Sequence, residues 1–407
     1  MQCRRLFPAL CREITGRPAV FFDGPGGSQV PQPVIDAVGR YLAEANSNHG
    51  GVFATSRASD AMLVEAARAV ADFLGTDDPE TVIFGANMTT LTLALSRALA
   101  RTWSAGDEVI VTQLDHDANH TPWVLAAQDA GATVQCVRIH PGDCTLDLDD
   151  LAAKLSSRTR LVAVCCASNA VGTMPPVTTI AEMAHAAGAQ VVLDAVHYAP
   201  HALIDVQAWD CDYLVCSAYK FFGPHVGVLW GKRPLLSELR PYKLRTAPEA
   251  LPGRWMTGTQ NHEGIAGTLA AIEYLADLGR PAVGAGASRR AALAAAFARI
   301  GEYERPLTAH LIRGLDQIPG IRIWGITDPA RLTERTPTVS ITHARYRPIE
   351  IARYLAERGF FVWCGNFYAL ALTEALGLEP DGVTRIGLLH YNTIEEIDRL
   401  LATLREL

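Results

Sequence analysis

Lysine is the residue this chain most lacks: among 407 residues it occurs only at 154, 220, 232 and 243, and arginine fills the other basic positions. Chemistry that needs a primary amine therefore has few candidates. Common fingerprints are missing too. There is no Gly-x-x-x-x-Gly-Lys loop, no Gly-x-Gly-x-x-Gly after a strand and no Gly-x-Ser-x-Gly, which sets aside nucleotide-dependent and serine-hydrolase readings. No His-Glu-x-x-His and no paired Cys-x-x-Cys is present to announce a metal. Apolar stretches such as 160–167 break off well short of the about 20 residues a bilayer span requires. The opening segment has early arginines and Glu13 but no long apolar core, so no secretory signal is expected. Excess positive charge is absent as well. Lys+Arg 36 against Asp+Glu 43 leaves a net charge of -7, which argues against nucleic-acid or membrane partners and for small molecules. The nine cysteines are scattered and odd in number, the usage of a reducing compartment, so a cytoplasmic protein is expected.

What is present is a large apolar fraction, 49% hydrophobic against 19% charged, enough to bury a substantial core. Short β-rich runs alternate with alanine-rich helical patterns: VIFGA then TLTLALSRALA, DEVIVTQ then TPWVLAAQDAG, TRLVAVCCAS then TTIAEMAHAAG, AQVVLDAV then CDYLVCSA. Such alternation predicts an α/β fold around a mostly parallel sheet, with ligands at the carboxyl ends of the strands. From Gly264 the pattern changes to long helices, then to an α+β stretch with strands near TPTVSITH, FFVWC and VTRIGLL and a closing helix. The Gly- and Pro-containing stretch Gly279 to Gly286 is the candidate boundary. This predicts a large unit over 16–278 and a smaller α+β unit from 1–15 and 279–407.

Lys154 falls on a polar helical face, and Lys232 and Lys243 flank Pro-containing loops. Lys220 differs, because it follows an apolar strand and precedes a glycine-bearing turn. Asp194 ends the preceding buried run, VVLD, where an ionised carboxylate is costly unless a cation or donors meet it. Pyridoxal phosphate would satisfy both: its aldehyde condenses with the amine and its protonated ring nitrogen pairs with the carboxylate. The GANMTTLTLAL turn offers Thr89 and Thr90 at a helix start for the phosphate, although an ordinary threonine cap explains them as well. Ser217 and Tyr219 could add hydroxyl donors, and His116 an aromatic face. Asp115, His116, Asp117 and His120 could instead be metal ligands, the histidines being spaced i, i+4.

Taken together these motifs resemble the class V, fold-type I pyridoxal-phosphate enzymes, in particular the cysteine desulfurase-like branch, from FFDGPGGSQVP to TRIGLLHYNTIEEIDRL. The resemblance implies a large mostly parallel sheet domain, a smaller α+β C-terminal domain and pyridoxal 5'-phosphate as cofactor. It makes Lys220 the cofactor-bearing, catalytic lysine and Asp194 the partner of the ring nitrogen. It puts His116 against the ring face with a share in catalysis, and Asn169 and His197 near the ring hydroxyl. Thr89 and Ser217 match phosphate ligands and Tyr219 replaces a histidine that does similar work, although Met88 stands where relatives commonly have glycine. Thr259 resembles a threonine that reaches the neighbouring subunit's phosphate, which implies a homodimer with shared sites. Arg385 matches the arginine that grips the substrate carboxylate, for which a planar fork is suited.

One departure bears on the reaction. Desulfurases attack the substrate sulfur with a loop cysteine, and RGFFVWCGNFYALAL puts Tyr368 at that position in one large group, with Cys364 nearby. Trp363 and Phe367 replace polar residues of the loop, and with Asn366 and Tyr368 they suggest a pocket for something bulkier or less polar than cysteine. Carbon-sulfur cleavage of cysteine or a cysteine S-conjugate is the leading expectation. Desulfuration using Cys364, transamination, epimerisation and decarboxylative deamination are the alternatives within the cofactor class. A metal-dependent hydrolase and a non-catalytic binding protein are the alternatives outside it.

Overall fold

The computed structural model describes residues 2–14, 16–284 and 286–407. Seven strands form the central sheet, in the spatial order Val82–Gly85, Gly227–Gly231, Tyr213–Ser217, Gln190–Asp194, Thr159–Cys165, Glu108–Thr112 and Thr133–Val137. Six run the same way, and Gly227–Gly231 is antiparallel to both neighbours. The inner strands are apolar at almost every position because helices cover both faces of the sheet. Strand periodicity sorts their side chains between two cores. Val162, Val164, Val191 and Leu193 enter one, while Leu161, Ala163 and Val192 enter the other.

The antiparallel strand was not anticipated from sequence, since GVLWG is short and bounded by glycines. Gly227 explains its composition: a Cβ there would lie 2.3 Å from the backbone carbon of Asn87, so only glycine lets the turn before the helix Met88–Ala100 sit against the sheet. That close approach brings the helix start beside Ser217.

The C-terminal part holds a four-stranded antiparallel sheet in the order Ile321–Trp324, Thr338–His343, Val383–Gly387, Trp363–Gly365, closed by the helix Ile394–Leu404. Its own core includes Val339, Ile341, Ile386, Leu388 and Leu400.

The stretch expected to separate the two units differs. The helix His262–Val283 runs through 278 and 279. Gly279 is a contact between helices and not a breaker: a Cβ on it would fall 1.9 Å from the Ala292 carbonyl oxygen. The next helix, Arg289–Asp316, packs Leu293, Phe297 and Ile300 into the main core but Leu311, Ile312 and Leu315 into the C-terminal one. The change of core thus falls inside a helix. At the N-terminal side, Val20–Phe21 pairs with Phe360–Phe361, and Val20 and Phe22 join the C-terminal core, while Phe7 and Leu10 pack in the main one. Among the described residues, no helix is long and apolar enough to cross a membrane.

Candidate active site

Neighbouring parallel strands end at one cavity of about 280 Å³. Cys165 and Asp194 are register partners at two of these ends, Ser217 ends the next strand, and a single 3-10 turn, Ala218–Lys220, carries the lysine in beside them. Twelve of the residues singled out from sequence line this cavity: Thr89, His116, Asn169, Asp194, His197, Ser217, Tyr219, Lys220, Trp363, Phe367, Tyr368 and Arg385. They come from segments that only the folded sheets bring together.

Burial governs the charges. Lys220 is buried, and desolvation, helped by the Arg385 charge, pulls its amine from its usual range to about 7. Its Nζ donates to the carbonyl of Pro25. Burial pushes the Asp194 carboxyl up to about 6 in spite of the Val196 N–H it accepts at 2.8 Å. His116 is held neutral, at about 4, by desolvation and then by the Lys220 charge; its Nδ1 accepts the Ala118 N–H at 2.9 Å. His197 is held neutral too, chiefly by complete burial, with Nε2 at 2.9 Å from the Thr338 hydroxyl and 3.2 Å from that of Thr336.

Hydrogen-bond donors gather at the start of the helix Met88–Ala100. The N-cap Asn87 accepts the Thr90 N–H at 2.9 Å, and the Met88 N–H donates to Ser217 Oγ at 2.9 Å. The Ser217 hydroxyl proton and the Thr89 N–H and hydroxyl remain available toward the cavity, at the positive end of the helix dipole. Tyr219 turns its ring onto that of His225, with centroids 4.9 Å apart and planes 13° from parallel.

At the opposite end, Arg385 is buried and its Nη1 donates to the Asn169 carbonyl at 2.8 Å. Its guanidinium carbon lies 3.8 Å from the Phe367 ring centroid, and desolvation lowers its pKa to about 9. Asn169 Nδ2 donates to the Phe367 carbonyl at 2.9 Å.

Some expected residues go elsewhere. The Thr90 hydroxyl is bonded to Asn87 Oδ1 at 2.9 Å, and Thr90 does not line the cavity. Asn366 is occupied by Glu379 at 3.1 Å and by the Tyr368 N–H at 3.1 Å, so it shapes the loop without lining the cavity. Thr259 lines a separate cavity of about 980 Å³ with Asn48 and His49. Asp115 accepts from Asn119 Nδ2 at 2.8 Å and bonds Thr112, and burial pushes it up to about 8. It does not share a ligand set with His116 and His120; no group of three metal-ligating side chains is assembled among the described residues.

Cys364 is opposite Thr384 in the antiparallel pair, one place beyond the pair Trp363 and Arg385 that faces the cavity. Alternation along the strand turns its thiol to the other face. Cys165 does line the cavity, but burial and then the nearby Asp115 and Asp194 charges drive its thiol well above the usual range.

Sequence reasoning missed Pro25, Gly26, Asn87 and Cys165 as lining residues, and Asp23 beside them. The GPGG run signals a tight turn, and Asn before a helix signals a cap, but neither says what it faces. Asp23 is pushed up to about 6 by burial, with Oδ1 lacking a partner among the described residues.

The donor set fits pyridoxal phosphate. Asn169 Oδ1 and Arg385 Nε are buried with no partner among the described residues, and the buried Asp194 carboxylate is bonded to no cation. A ring with a protonated nitrogen, a hydroxyl, an aldehyde and a phosphate has a complement here for each group: Asp194, Asn169 with His197, Lys220, and the Thr89–Ser217 cradle.

The sequence matches the family described as Aminotransferase class-V over residues 20–400. A cysteine desulfurase of Synechococcus elongatus is 34% identical over 426 residues, an alignment that takes in 100% of this chain and 63% of that protein. One of Serratia proteamaculans is 30% identical over 419 residues, covering 99% of this chain and 97% of that one. Among solved structures, the apo cysteine desulfurase of Thermococcus onnurineus is similar at a TM-score of 0.89 and 25% identity, covering 100% of this chain and 97% of that chain. A cysteine desulfurase of Escherichia coli is similar at 0.85 and 26%, with the same coverage of 100% and 97%.

Proposed function

The chain belongs to the aminotransferase class-V family of pyridoxal-phosphate enzymes, in its cysteine desulfurase-like branch, and on that premise we propose that it holds the cofactor on Lys220 and breaks the carbon–sulfur bond of cysteine or a cysteine S-conjugate. The observation that carries the proposal is one cavity in which a buried amine, a buried carboxylate and a buried guanidinium face the same space without neutralising one another. When bound, the cofactor supplies an electron sink for negative charge at the substrate α-carbon.

The chain's own residues then have definite tasks. Lys220, with a pKa near 7, is an amine that both attacks a carbonyl and moves the α-proton close to neutral pH. Asp194 keeps the ring nitrogen protonated, His116 presents a neutral ring, and Asn169 and His197 orient the ring hydroxyl. Thr89 and Ser217 hold the phosphate. Arg385 takes the substrate carboxylate in a bidentate fork.

The names of the relatives favour desulfuration of cysteine over other outcomes within this class. In that reading sulfur passes to a thiol, and the orientation of Cys364 makes an external acceptor the better candidate. A homodimer in the cytoplasm completes the proposal, with Thr259 reaching a partner's phosphate site across the subunit boundary.

Incubating the cofactor-loaded protein with cysteine and with a cysteine thioether, and scoring pyruvate, thiol and persulfide, tests it. Carbon–sulfur cleavage by elimination gives pyruvate and ammonia with a thiol or sulfide, and desulfuration gives alanine with the sulfur carried as a persulfide on an acceptor thiol. A ketoacid formed only with amine transfer to an acceptor would assign an aminotransferase instead.

A further inference from the structure

The enclosed part of the cavity and its mouth differ in chemistry. At about 280 Å³ the whole cavity lies below the roughly 300 Å³ at which sites for a single small molecule usually begin, so a bound pyridoxal phosphate would leave little of it free. Any group beyond the substrate's β-carbon extends into the mouth. There the walls are aromatic: Trp363 and Tyr368 line the cavity yet are 54% and 71% exposed, with Phe367 behind them.

These rings are held in place. Trp363 lies against Gly26, where a Cβ would come 2.5 Å from its indole Nε1. Tyr368 stacks on His116 with centroids 5.4 Å apart and planes at 29°. Phe367 and Tyr368 both sit in the left-handed region, φ 56 and 59, which bulky residues keep only where the surroundings impose it. Asn169 Nδ2 on the Phe367 carbonyl and the Asp117 N–H on the Tyr368 carbonyl, at 2.6 Å, impose it here. The charged residues lining the cavity, Asp194, Lys220 and Arg385, are all buried, so among the described residues its exposed lining carries no ionic partner for a polar substituent.

We propose that the preferred substrate is a cysteine S-conjugate whose sulfur carries an apolar aromatic group, and that Trp363 and Tyr368 select it by stacking. This rests on the carbon–sulfur cleavage reading above. The α-proton goes to Lys220, the Cβ–S bond breaks with its electron pair leaving on sulfur, and the thiolate takes up a proton. One water added to the three-carbon remainder yields pyruvate and ammonia. No enzyme thiol and no oxidant enter the balance, in keeping with Cys364 facing away.

The test compares S-benzyl-cysteine, S-carboxymethyl-cysteine and cysteine on the loaded enzyme, in wild type and in Trp363→Ala, Trp363→Phe and Tyr368→Ala. In wild type kcat/KM for the benzyl compound exceeds that for the carboxymethyl compound by about tenfold or more, mainly through KM. Trp363→Ala and Tyr368→Ala reduce that ratio and Trp363→Phe restores most of it. Titrating the benzyl compound and following tryptophan fluorescence shows the same order of binding. Cleavage of cysteine without cleavage of the benzyl compound overturns this inference alone, as does a benzyl preference that survives both alanine variants. Failure of every sulfur substrate to release thiol, sulfide or persulfide overturns the cleavage reading and this inference with it.

Discussion

Lys220 and Asp194 face one cavity but do not bond to each other: the amine donates to the Pro25 carbonyl and the carboxylate accepts the Val196 N–H at 2.8 Å. Each therefore carries its own desolvation cost, which shows in the opposite shifts of their pKa values to about 7 and about 6. Two buried groups kept apart in this way are arranged for a third that joins them.

The lysine cost is measurable without cofactor. A folded-state pKa of about 7 against an ordinary 10.5 means that the unfolded chain binds the proton more tightly. Stability from this group is present above 10.5 and is lost as pH falls toward 7. Apo Lys220→Met should exceed apo wild type by roughly 2–4 kcal/mol at pH near 6, and by little near pH 10, in urea titrations. Equal curves at both pH values would show that the amine is not desolvated.

Arg385→Ala should raise KM for the amino-acid substrate about a hundredfold while changing kcat less, because the lost contact is to the substrate carboxylate. Arg385→Lys should recover little, since a point charge does not reproduce the planar fork over Phe367. Steady-state kinetics on the loaded variants decides this.

Cys364→Ala should leave both sulfur release and pyruvate formation as in wild type, because the thiol lies on the strand face opposite Trp363 and Arg385. Sulfide and pyruvate assays on the loaded variant read it directly. Loss of sulfur release on this substitution would place the sulfur-accepting thiol at 364.

Asn87→Ala should destabilise the apo protein by about 1 kcal/mol by removing the cap from Thr90 N–H, and should weaken retention of the cofactor phosphate at the same helix start. Urea denaturation and equilibrium dialysis separate the two effects.

Much of the site was legible because its signals are local. A scarce lysine after an apolar strand, an aspartate ending the preceding one and a threonine pair opening a helix can each be read within a few residues. The misreadings share one cause. Gly279 looks like a breaker but serves a helix contact with Ala292, and Thr90 looks like a phosphate ligand but is bonded to its own N-cap. Asn366 likewise sits in the right loop but faces Glu379. In each case residue type indicated capability, and the neighbour supplied by distant chain decided its use.

The alternation of parallel strands and helices in the main sheet, though not its antiparallel strand Gly227–Gly231, and the candidacy of Lys220 and Asp194 follow from periodicity and from burial cost, which act over a few residues and are written in the chain. Which side of the strand Trp363 and Cys364 occupy, the placement of Pro25 on Lys220 and of Asn169 on Phe367, and the aromatic mouth depend on register between segments as far as 198 residues apart and farther. Folding settles these, because shifting a strand by one residue exchanges its faces without altering the local pattern.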